Sequence, residues 1–136
     1  MKVEFTGLLN GSSVTRVLSP GGRNGTFDLE INTRRIIEEV SLPRASGIKL
    51  FDRANEQNRI TFGVRAFFSS AKGAEAQALV YRSNMPPVGI AKFTTETAAG
   101  GVNSFTLTPA AVVGMSCRCM GAMLITRFEI LGGRLT

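Results

Sequence analysis

Apolar and polar residues alternate along most of this chain, the period-two signature of strands with one buried face. Lys2–Leu9 reads as a first strand. Asn10-Gly11 reads as the hairpin turn after it, because both residues tolerate positive φ. Val14, Val17 and Leu18 mark a second strand that ends at Pro20-Gly21-Gly22. After Asn24-Gly25, Phe27, Leu29 and Ile31 fall on one face and Asp28, Glu30 and Asn32 on the other, which predicts a third strand with one side buried. Residues 33–42 (TRRIIEEVSL) fit two states. Ile36, Ile37 and Val40 suit a helical turn, whereas the β-branched content and the nearby Pro43 suit an extended edge. Pro43–Gly47 reads as a loop, Ile48–Phe51 as a short strand and Asp52–Gln57 as a polar turn.

The longest alternation is NRITFGVRAFF, Asn58 to Phe68. Ile60, Phe62, Val64, Ala66 and Phe68 share one face; Arg59, Thr61, Gly63, Arg65 and Phe67 share the other. The period then changes. Ala71, Ala74, Ala78, Tyr81 and Met85 form a helical stripe, Ser69 and Ser70 are candidate caps, and Pro86-Pro87 is the stop. Mostly alanine, the stripe lets a helix lie close to a sheet without supplying a large core. Val88–Glu96 and Val102–Thr108 predict a hairpin around residues 98–101, and Val112–Leu131 is nearly all extended. Within it Met115, Cys117 and Cys119 share a face, but past Gly121 the set becomes Leu124, Phe128 and Ile130, which predicts a bulge or bend at Gly121. The sum is a mainly β chain with one α-helix (α+β): an antiparallel β-sandwich or barrel flanked by a single helix at about 69–85, in one domain over residues 1–136.

Composition changes this picture little, and charge changes it more. With 43% hydrophobic and 19% charged residues, the 136-residue chain is globular in type and long enough to bury a core. Its formal charge is +6, from 16 basic and 10 acidic side chains. Residues 1–57 hold eight basic and seven acidic groups, a net +1; residues 58–136 hold eight and three, a net +5. Arg59, Arg65, Arg118 and Arg127 all occupy strand positions off the core face, with Phe67 beside two of them. These five are candidate interface residues, facing partner carboxylates or nucleic acid, or forming a solvated face. No apolar run is long enough for a signal peptide or for the roughly 20 residues of a membrane helix, so the chain is expected to be made in a cytoplasm with no membrane partner.

Chemistry is sparse. The chain has no histidine, which removes Ser–His and Cys–His nucleophile pairs and the usual general base near neutral pH. GGRNG at residues 21–25 lacks the Gly-Lys-Ser/Thr ending of a phosphate loop. Cys117 and Cys119, two apart on one strand face, suit buried free thiols better than a disulfide or half a zinc site. Asp28 and Glu30 share a strand face, but a solvated or ion-paired face explains them as well as a paired-acid site does. No metal, cofactor or catalytic residue is expected.

Asn58–Pro87, with NRITFGVRAFFSS and then AEAQALVYRSNMPP, and the closing GAMLITRFEILGG of residues 121–133, resemble the small structural proteins of tailed bacteriophages that share the tail-tube fold, in particular minor tail or distal tail proteins. The resemblance lies in a pattern of strands and one helix over roughly the last 80 residues, not in a diagnostic signature. It implies a non-enzymatic phage or prophage virion protein, made in the bacterial host cytoplasm. Such a protein joins sheets across subunits into homo-oligomeric rings, commonly hexamers, and meets other phage tail proteins. It also implies that the helix covers the outside of the sheet while strand edges pair between neighbours. One departure stands: tail channels that pass DNA tend to be acidic, and this chain is basic. The alternative is a basic β-barrel nucleic-acid-binding module.

Overall fold

Asn10 and Gly11 sit at φ 52° and 82°, forming the tight turn that their sequence announces. In this computed structural model, residues 1–21, 25–41, 48–96 and 102–136 are described. The elements are β1 (Lys2–Leu9), β2 (Ser12–Ser19), β3 (Thr26–Ser41), β4 (Ile48–Phe67), α1 (Ala71–Ser83), β5 (Gly89–Glu96), β6 (Val102–Met120) and β7 (Met123–Leu135). Every pairing is antiparallel, in one sheet of order β2-β1-β5-β6-β7-β4-β3.

That sheet curls back on itself. Strands β5 and β4 are three steps apart, about 14 Å if the sheet were flat at ~4.8 Å per step. Yet Phe93 on β5 and Phe62 on β4 meet edge to face with centroids 5.9 Å apart. Phe62 also packs on Phe128 of β7 at 5.4 Å, and Phe93 stacks on Phe105 of β6 at 4.7 Å. Val3, Phe5, Leu18, Leu107, Leu124 and Ile130 complete this fully buried interior. At one end the curl nearly closes: Thr26, opening β3, donates to Ser19 Oγ at 2.8 Å, and Ser19, ending β2, donates to the Met1 carbonyl at 2.9 Å. This is the curled antiparallel β-structure with one helix that the alternation predicts.

Ser70 caps α1 by accepting from the Gly73 N–H at 3.2 Å. Ala74 and Tyr81 are buried and Ala78 and Met85 partly buried, whereas Ala71, the first residue of the predicted stripe, is exposed. The helix does not cover the outside of the sheet. Tyr81 meets Phe128 edge to face at 5.4 Å, on the concave side, so α1 plugs the mouth of the curl. Its thin alanine face allows that close approach.

Of the two states open to residues 33–42, residues 33–41 take the extended one, because β4 pairs with them as far as Ser41↔Ile48. Other local expectations give way. No polar turn occurs over residues 52–57: β4 runs from Ile48 to Phe67, held extended by its pairing with β3 on both sides of an irregularity between Asp52 and Glu56. The predicted loops at residues 43–47 and 98–101 lie outside the described residues. Leu29 and Ile31 are exposed rather than core: Ile31 stands opposite the buried Ile60, but on the last strand of the sheet it packs beneath no further element among the described residues. The register shift between Phe27 and Glu30, where Asp28 takes a positive φ of 57°, instead turns Phe27 to the outer face opposite Gly63. The one long closing strand is two. Gly121, at φ 62°, opens a two-residue hairpin that sets Met120 opposite Met123, which accounts for the change of phase.

Candidate assembly surfaces

Register brings the five predicted interface residues onto one face. On β4 the outward positions are Arg59, Thr61, Gly63, Arg65 and Phe67, standing opposite Leu131, Glu129, Arg127, Ile125 and Met123 of β7. Strand β6 continues these rows with Ala111, Gly114, Ser116, Arg118 and Met120. Arg65 and Arg118 therefore flank Ile125, while Phe67, Met123 and Met120 form an apolar row at the hairpin end. Phe67 and Met120 are 40% and 49% exposed.

Most of the arginines on this face are already engaged. Arg59 is ion-paired with Glu129, and Arg127 holds Asp28 with two contacts of 3.1 and 3.2 Å. Arg65 lies over the Phe27 ring, 5.3 Å from its centroid. That ring in turn covers Gly63, where a β-carbon would come within 2.6 Å of it. Arg118 is exposed. Asp28 is thus an ion-pair partner rather than half of a paired-acid site, and Glu30 accepts from Asn32 at 3.1 Å.

The second surface is an arm. Pairing of β4 with β7 starts at Asn58↔Gly132, but pairing of β4 with β3 continues from Arg34↔Gln57 to Ser41↔Ile48. Beyond Asn58 the two strands form a ribbon with no third strand among the described residues. Asn58 stands at the fork. Fully buried, it accepts from the Thr33 hydroxyl at 2.6 Å and donates to the Gly133 carbonyl at 2.9 Å, tying β3 to β7 across β4. A polar pocket of about 350 Å3, lined by Asn32, Arg34, Gln57 and Arg59 among others, opens beside it. A more apolar groove of about 550 Å3, around Val88, Pro109, Ala110 and Leu131, lies at the base of the same arm.

Sequence reasoning passed over Asn58, although a signal existed. It is in phase with Ile60, Phe62 and Val64, and a polar residue at a core-phase position must find hydrogen-bond partners.

The two edges of the sheet differ. Strand β2 is engaged by the helix: the Tyr81 hydroxyl donates to the Val17 carbonyl at 3.4 Å, and Arg16 Nε donates to the Asn84 carbonyl at 2.8 Å. Among the described residues, strand β3 has a neighbouring strand, β4, on one side only.

Little else offers chemistry. Cys117 is half-buried under the helix and Cys119 is exposed, so only one of the predicted buried thiols lies inside. Burial raises the Cys117 thiol above its usual range, with Thr126 as a hydrogen-bond partner opposing the shift. Among the described residues no group of Cys, Asp and Glu side chains suits a metal ion, and no helix is long and apolar enough to cross a membrane.

No family model and no curated protein matches the sequence. Two solved structures are similar to it over nearly its whole length. One is a chain from the tail of an empty GTA particle of C6 symmetry, with TM-score 0.48 and 12% identity, covering 98% of this chain and 93% of that one. The other is a chain from the virion of a native gene transfer agent (GTA) particle, with TM-score 0.47, 10% identity and the same coverage. At that distance neither assigns a role to this chain.

Proposed function

We propose that this chain is a non-enzymatic structural protein of a phage or prophage virion, assembling with its own copies into rings within a tail. The observation that carries the reading is the β3–β4 arm. A lone two-stranded ribbon is marginal in water, and an unpaired strand edge is a template for another chain. An arm of this length gains its stability from a partner. The outer face offers a second contact, with Phe67, Arg65, Arg118 and the pairs of Arg59 and Arg127 facing a neighbouring subunit or another tail protein. The two distantly similar chains come from a tail and a virion, but the reading rests on the arm and edges of this one.

Mass in solution across a range of concentrations tests it. A ring-sized multiple of the 14.6 kDa chain is expected. A strict monomer at every concentration, together with salt-dependent oligonucleotide binding, favours the nucleic-acid module instead. That reading draws on the same outer face, where Arg59 and Arg127 already hold carboxylates and Arg65 and Arg118 remain for phosphate.

A further inference from the structure

We propose that two copies of this chain pair antiparallel through the open edge of β3, about a two-fold axis at Ile36. The edge is available: β3 is the last strand of the sheet, and among the described residues it pairs over Arg34–Ser41 only with β4. It is also continuous. Between Arg35↔Glu56 and Ile37↔Asp52 one residue of β3 faces three of β4, so the irregularity lies in β4 and leaves the β3 line unbroken at its centre.

Charge then selects the partner. The segment reads Arg34-Arg35-Ile36-Ile37-Glu38-Glu39, a basic half and an acidic half on either side of two isoleucines. Residues directly opposite in an antiparallel pair point to the same face of the sheet. A strand meeting its own copy must therefore place position k opposite itself, and a centre at Ile36 satisfies this. Position 34 then stands opposite position 38 of the partner, and 38 opposite 34, while 35 stands opposite 37 and lies diagonal to 39 and to its own equivalent. Arg34 and Glu38 thus meet directly in both copies, and the isoleucine at the axis meets its equivalent. A parallel in-register pair would set basic on basic and acidic on acidic, which is unfavourable. Charges on edge strands commonly prevent edge-to-edge pairing. Here their order along the strand makes the edge complementary to itself.

This contact is isologous, whereas contacts that close a ring are heterologous. It therefore goes beyond the ring reading and would join two rings, or two free chains. The test uses four full-length proteins, weighed by sedimentation at low and high salt: the native chain, the double variant Arg34→Glu with Arg35→Glu, the double variant Glu38→Arg with Glu39→Arg, and all four substitutions together. The expected result is a two-fold fall in mass for each double variant alone. Mixing the two doubles, or making all four changes at once, should recover the native mass. Recovery on mixing also shows that the variants are folded. The pairing is overturned if both doubles keep the native mass, if mixing restores nothing, or if the native chain is a monomer throughout. A fall to a ring-sized mass upholds pairing and ring together. A native dimer that falls to monomer upholds the pairing and removes the ring.

Discussion

The two edges of the sheet meet solvent in opposite ways. Strand β2 is short and packed under the helix, with its Val17 carbonyl taken by Tyr81 and its Arg16 tied to the end of α1. Strand β3 is twice as long, 16 residues against 8, and among the described residues its only strand neighbour is β4. One edge is closed by the chain's own helix; the other carries no further strand among the described residues. Stability and assembly are therefore expected to separate, with substitutions near the closed edge costing folding energy and substitutions on the arm altering association.

The sharpest contrast comes from the interior beneath the helix. Phe128 touches both Phe62 and Tyr81 and is fully buried, so Phe128→Ala is expected to cost about 3–5 kcal/mol in chemical unfolding. A loss below about 1 kcal/mol would mean that the helix does not seal this core. Next is the fork. Asn58→Ala leaves the Gly133 carbonyl and the Thr33 hydroxyl without their partner and is expected to cost about 1–3 kcal/mol. Amide exchange should then rise at the base of the arm more than in β1 and β2.

Closure of the β2 edge is tested by Tyr81→Phe, which keeps the ring and removes one long hydrogen bond, at an expected cost of about 0.5–1 kcal/mol. Alkaline pH probes the same region. The Tyr81 hydroxyl and the Cys117 thiol are both raised, first by burial, from ordinary values of 10.0 and 9.0. The fold thus favours each neutral form, and this contribution is intact below the unfolded value and lost as pH rises through the folded one. The Tm should fall as pH climbs past about 9, and Cys117→Ser should delay the onset; an unchanged profile would place the titrating group elsewhere. The smallest effect belongs to the outer face. Arg127→Ala breaks an exposed pair with Asp28 and should change stability by less than about 1 kcal/mol. Any larger change it makes in association would identify this face as a contact.

How far the sequence carried the fold varied with the local physics. Where one face is buried, alternation is decisive: Ile60, Phe62 and Val64 are interior, as are Leu124, Phe128 and Ile130. The Asn10-Gly11 turn and the Ser70 cap were legible because each depends on a few neighbouring residues. The arm was not. Residues 33–42 fit a helical turn as well as an extended edge, and 52–57 read as a polar turn, because the pairing of β3 with β4 that makes both extended is written in neither segment alone. Gly121 gave a change of phase, but a bulge and a two-residue hairpin produce the same change, and only the partner strand distinguishes them.

The sequence by itself determined the interior of β4 and β7, that one helix interrupts a run of strands, and that histidine chemistry is absent, because these follow from local periodicity and composition. Only the tertiary structure decided that the helix plugs the concave side, that Asp28 meets Arg127, and that β3 and β4 run on together past Asn58. The first two depend on which distant strands become neighbours when the sheet curls, and no short window of the chain contains both partners; the third depends on where β7 stops pairing with β4.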